Sequence, residues 1–168
     1  MIGEAALRDE RDESSLRDQD DRRRGSRADI ARRLRRSQRQ LDNGAGHRQR
    51  IEQLRAEGAS RRQAYEEGER VGRDSQVGNL ADVLFAVHQA GLGRAAVCEE
   101  SNVHVLFRVE DCVCNRTNTE TGCAFVAGFL AGALAACGRY RDPKVSEQSC
   151  QQLARASCVF RAELRLWT

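Results

Sequence analysis

Residues 121–138, TGCAFVAGFLAGALAACG, carry no charge in a chain of which 32% is Asp, Glu, Lys or Arg. Eighteen residues reach the lower limit for a membrane span, but four glycines, a threonine and two cysteines dilute the apolarity of the run. A helix that is apolar all round and too diluted for lipid belongs inside a protein. The run is therefore expected to form a buried helix over about 122–137.

The rest of the chain divides near residue 75. All five Phe, the single Trp and all seven Cys lie beyond it, whereas residues 1–75 hold 19 Arg and 16 acids. Residues 1–21 carry eight acids and three Arg, and 22–39 carry nine Arg and one Asp. Such a stretch has too few large apolar residues to offset its ordering entropy. We expect residues 1–46 to be a charged, partly disordered arm with some helix, and 47–168 to be the folded domain. The arginine cluster has the charge for phosphate contacts. It lacks interleaved aromatics and any helix-turn-helix or zinc-finger spacing, so a solvated or partner-binding helix ranks ahead of nucleic-acid contact. Ile30, Leu34, Leu41 and Ile51 fit a broken heptad pattern, which suggests homodimerisation through the arm.

Within the domain, 47–72 has helical periodicity with many i,i+4 charge pairs. Leu80, Val83, Leu84 and Val87 mark a further helix that Gly91 should stop. NVHVLFRV (102–109) alternates, with Val103, Val105, Phe107 and Val109 on one face, and GRAAVCEE supplies its hairpin partner. After the buried helix come two more strands, around 144–150 and 158–166. The expected class is α+β: antiparallel strands in the order hairpin, helix, hairpin, covered by helices.

The thiols carry the chemistry. No basic-apolar-small leader opens the chain, so we expect a cytoplasmic protein whose seven cysteines are reduced, buried or metal-bound. In VSEQSCQQLARASCVF (145–160) Glu147 precedes Cys150 by three residues, and Cys158 follows by eight. A hairpin would bring Cys150 and Cys158 together, and Cys123 opens the buried helix, where unpaired amides favour a thiolate. Cys123, Glu147, Cys150 and Cys158 would make a closed four-ligand shell for zinc. Plain core cysteines are the competing reading. Cys112 and Cys114, in DCVCN, face the same way if extended; they are either metal-binding or redox-active thiols, or strand-end thiols without a role.

GCAFVAGFLAGAL, VSEQSC and CVF, with AGLG at 90–93, resemble the 4-vinyl-reductase domain family over about 78–165. The resemblance implies a fold shared with vesicle-tethering subunits and with sensor domains of aromatic-responsive transcription activators. It also implies structural zinc on Cys123, Glu147, Cys150 and Cys158. The family places a glycine between the last two cysteines, where QQLARAS has none, so the turn there is expected to be reshaped.

The buried helix has a face of small residues, including Gly128, Ala131 and Gly132. These either pack closely on the sheet or leave room for a small apolar ligand walled by Phe107, Phe125 and Phe129, which is what the resemblance implies. No Ser-His-Asp order, phosphate loop, paired catalytic carboxylates or dinucleotide fingerprint is present. The leading expectation is a binding or sensory module for a small apolar molecule, with structural zinc, ahead of an enzyme. The alternatives are an accessory reductase-type protein of tetrapyrrole pigment synthesis and a protein-assembly scaffold.

Overall fold

The computed structural model describes residues 46–117, 120–150 and 157–166, all within one compact unit, Gln40–Thr168. The acidic and basic segments of the arm, its heptad pattern up to Leu41 and the QQLARA turn lie outside the described residues.

Helix α1 (46–56) buries Ile51 and Leu54, three residues apart on one face. Helix α2 (Arg61–Arg73) starts at Ser60, whose side chain accepts from the Gln63 amide while Gln63 reaches back to the Ser60 amide. This reciprocal cap satisfies two of the amides that a helix start leaves unpaired. The buried residues of α2 are Ala64, Gly68 and Gly72, at every fourth position, and charge occupies much of the remaining surface. Helix α3 (Leu80–Gln89) is capped by Asn79, buries Val83 and Val87, and ends where Gly91 adopts φ 67°. That left-handed residue suits glycine, and its amide returns to the His88 carbonyl at 3.0 Å.

Strands β1 (Arg94–Glu100) and β2 (His104–Glu110) form the first hairpin. A short helix α4 (Val113–Thr117) leads to α5 (Glu120–Ala136), and β3 (Lys144–Ser149) and β4 (Ser157–Glu163) form the second hairpin. The sheet is wholly antiparallel in the order β1-β2-β4-β3, so the late strand β4 sits centrally against β2. Cross-strand pairs Val105–Ala162, Phe107–Phe160 and Val109–Cys158 line up one face, and all six residues are fully buried. The expected alternation in β2 holds from Val105 to Val109. Val103 lies in the turn before it and is exposed.

Helix α5 is buried continuously from Gly122 to Leu134, as a helix apolar on every side should be. No helix among the described residues is long and apolar enough to cross a membrane. One side of α5 meets α2 at backbone distance. A Cβ on Gly68 or Gly72 would overlap the carbonyl oxygen of Phe125 or Phe129, and one on Gly128 or Gly132 would overlap that of Tyr65 or Glu69. Two glycine pairs at i,i+4 spacing thus face each other, and the helices touch main chain to main chain. This corrects the expectation that Gly128 and Gly132 face the sheet: they face α2.

Ion pairs join α1 to α2. Glu67 accepts from Arg70 Nε at 3.0 Å and Arg50 Nε at 3.1 Å. The Arg70 guanidinium, helped by Arg50, holds the Glu67 carboxyl down at about 2. The unfolded carboxyl titrates near 4.3. The pairing therefore stabilises fully above about pH 4.3 and is lost as the pH falls toward 2. With both arginines partly exposed, screening limits it to about 1 kcal/mol. Glu67→Gln should lower stability by up to that amount at pH 7, with the gap to the parent narrowing at pH 3. Urea unfolding at the two pH values measures this, and an equal gap at both would contradict it.

Candidate metal centre

Five cysteines converge where the two hairpins meet the start of α5. Cys158 opens β4, on the buried face and opposite Val109. Cys150 follows the end of β3 and is half-buried. Cys123 lies in the first turn of α5 and is fully buried. The remaining two come from the segment after β2. Asp111 adopts φ 49° and turns the chain there, so that Cys112, just before α4, and Cys114, in its first turn, enter the interior, both fully buried.

The sulfur separations are short. Cys114 Sγ lies 3.3 Å from Cys158 and 3.9 Å from Cys150. Cys123 Sγ lies 3.5 Å from Cys150 and 3.6 Å from Cys158, and Cys150 and Cys158 are 4.0 Å apart. The sulfurs of Cys112, Cys114, Cys123 and Cys158 all lie within 4.8 Å of one another. So do the ligand atoms of Cys123, Glu147 and Cys150. A tetrahedral zinc with bonds of about 2.3 Å separates its thiolates by about 3.8 Å. The donors present fit one metal ion, and zinc accepts a thiolate-rich set.

Crowding shapes the chemistry of these thiols. Hydrogen bonding from Cys112, then from the other neighbouring thiols, together with burial, pushes the Cys123 thiol far above its ordinary range. Cys114 is also pushed up, chiefly by Cys112. A cation held there would supply the positive charge that converging thiolates need.

Glu147 sits on β3 opposite Phe160 with its side chain 13% exposed. Its Oε2 accepts from Arg61 Nη2 at 2.9 Å, and Arg61 also donates to Glu120 at 3.0 Å. The structure therefore brings Cys123, Cys150 and Cys158 together and places Glu147 at their edge, already engaged by a guanidinium. Cys112 and Cys114 join the same cluster. Their Cys-x-Cys spacing is the available sequence signal. An extended DCVCN would leave the pair at a strand end, whereas the turn at Asp111 and the short helix after it bring both thiols inward.

The residues expected to line a ligand space are distributed differently from one another. Phe107 is buried on the inner face of the sheet, and Phe129 and Ala131 are buried in α5. Phe125 turns its ring toward His47 of α1, with centroids 6.3 Å apart, and Gly128 and Gly132 abut α2. These last three thus do not border a space between α5 and the sheet. One cavity of about 600 Å³ lies between α1 and α2 against Arg50, Glu66, Glu67 and Arg70. Another of about 290 Å³ lies against Glu100, Ser101, Arg139 and Tyr140. Neither is lined by the six expected residues.

No protein-family model matches the chain, and no curated protein does. Solved structures do. A vinyl-4-reductase family protein from Methanocaldococcus jannaschii is 20% identical, with a TM-score of 0.52 over 66% of this chain and 73% of that one. The phenol-responsive sensory domain of the transcription activator PoxR, solved with phenol, is 17% identical, with a TM-score of 0.49 over 73% and 74%. A trafficking protein particle complex subunit 3 from Naegleria fowleri, covalently bound to palmitic acid, is 12% identical, with a TM-score of 0.45 over 81% and 99%. The first of these carries the conclusion that this chain shares the fold of a vinyl-4-reductase family protein.

Proposed function

We propose that this chain is a non-catalytic binding module for a small apolar molecule, with its helix and hairpins fastened by a structural zinc. The observation that carries the reading is the convergence of Cys123, Cys150 and Cys158 from α5, the end of β3 and the start of β4. Zinc bound there would tie the start of α5 to the two strands of the second hairpin, about 27 to 35 residues further along the chain, which is what closed structural sites do. The fourth position falls to Glu147, as the family resemblance implies, or to Cys114. The ligand part of the proposal draws on the fold shared with a family named for a vinyl-bearing substrate. Phe107, Phe129 and Ala131 are the candidate lining that remains.

A scaffold reading has one observation in its favour: the α2–α5 contact is main chain to main chain and leaves no room for a ligand on that side of α5. Ala131→Leu separates the two. In a binding module the larger side chain fills ligand space, so the variant should fold with near-normal stability and fail to take up an apolar fluorescent probe that the parent binds. In a scaffold, Ala131, 1% exposed, sits in close packing, and the added volume costs about 1–3 kcal/mol. A strongly destabilised variant of a parent that binds no probe would contradict the binding reading.

A further inference from the structure

We infer that the zinc shell is all thiolate, closed by Cys114 rather than by Glu147, so that the ligands are Cys114, Cys123, Cys150 and Cys158. This rests on the metal site proposed above and specifies its fourth position. Five of the six sulfur separations in this set run from 3.3 to 4.0 Å, and the sixth, Cys114 to Cys123, is within 4.8 Å. They scatter about the edge of roughly 3.8 Å expected for a ZnS4 tetrahedron. Four sulfurs at these spacings enclose one ion, and no vertex remains for a carboxylate. An iron–sulfur cubane binds its four thiolates to four different irons, which spreads them wider than this.

Glu147 is accounted for elsewhere. Arg61, at the start of α2, donates to it at 2.9 Å and bridges it to Glu120 at the start of α5. A carboxylate so held fastens α2 to β3 and α5 beside the metal. Four thiolates on Zn²⁺ leave a net charge of −2, so a bound carboxylate without Arg61 would add repulsion; the guanidinium offsets it. Cys112 Sγ also lies within 4.8 Å of the sulfurs of Cys114, Cys123 and Cys158, but Cys150 stands 3.5–4.0 Å from all three, near the tetrahedral edge, so the fourth vertex is assigned to Cys150 and Cys112 to the surroundings of the shell.

Zinc X-ray absorption of the full chain and three variants tests the assignment. The parent should show sulfur only, at about 2.3 Å, and Glu147→Gln should keep both the shell and the zinc stoichiometry. Cys114→Ser should gain an oxygen neighbour or lose zinc affinity at least about tenfold. Cys112→Ser should retain the sulfur-only shell. A parent shell mixing sulfur with oxygen at about 2.0–2.2 Å that becomes altered in Glu147→Gln would overturn the inference while leaving the metal site standing. Loss of metal in Cys112→Ser with retention in Cys114→Ser would overturn it too. A parent that binds no zinc at all removes the metal site itself. Since Cys114 is buried and its variant risks misfolding, Glu147→Gln decides between the two shells without touching the core.

Discussion

Replacing Gly128 by valine is expected to be one of the two most disruptive single changes in the domain. A Cβ at this position would overlap the Tyr65 carbonyl, and both partners are main chain, so no side chain can rotate away. The helices α2 and α5 must separate, which breaks the contact at Gly68, Gly72 and Gly132 along with it. Overpacking typically costs 1–3 kcal/mol, and a backbone clash belongs at or above the upper end, so we expect about 3 kcal/mol or more. For a domain of this size that lowers the melting temperature by roughly ten degrees. Gly46→Ala is the control. It opens α1 with no described atom close to where its Cβ would stand, and the change should be close to neutral. A thermal melt followed by far-ultraviolet circular dichroism reads both variants; equal melting of the Gly128 variant and the parent would contradict the packing described.

Cys158→Ala should be at least as disruptive, and through the metal. Cys158 belongs to every arrangement of the cluster that closes a four-sulfur shell, and it is fully buried in the central strand β4. In zinc fingers, where the metal is the main organiser, binding contributes about 10–16 kcal/mol. Here an aromatic and aliphatic core remains without metal, so a smaller loss is expected, on the order of 5 kcal/mol, and chelation of the parent should reproduce most of it. The decisive comparison is urea unfolding of parent and variant, each with and without chelator. Chelator should shift the parent and leave the variant where it is. A parent indifferent to chelator would mean that the cysteines are ordinary core residues.

Some of this architecture is legible from residues alone, for identifiable reasons. The alternation from Val105 to Val109, and from Cys158 to Ala162, reports strands with one buried face, because a period of two has no other simple cause. The continuous apolarity of 121–138 reports a helix covered all round. The role of α2 is hidden because its contact face consists of Ala64, Gly68 and Gly72, and hydrophobic periodicity does not register glycine. The matching i,i+4 glycines of α5 stand out as small residues, but their spacing does not say whether a sheet or a helix covers them. What they meet is another glycine helix, a pairing that small-xxx-small spacing in both segments suggests. Cys114 is hidden by local geometry: an aspartate, Asp111, takes a left-handed conformation that residues of its kind adopt only occasionally. The turn it makes carries DCVCN out of the strand and into the core. Cys123, Cys150 and Cys158 are readable because helix start and hairpin ends are fixed by periodicity.

The central claim is that a metal, held by thiols from three parts of the chain, organises a binding module. Native mass spectrometry of the full chain, purified without chelator, tests it most directly because it weighs protein, metal and retained ligand together. The account predicts one zinc per chain, absent from Cys158→Ala, and an additional small apolar species on a fraction of the parent molecules; the same spectrum shows whether the arm makes the chain a homodimer. A spectrum at the bare mass of the polypeptide, for protein that unfolds cooperatively and is insensitive to chelator, would contradict it.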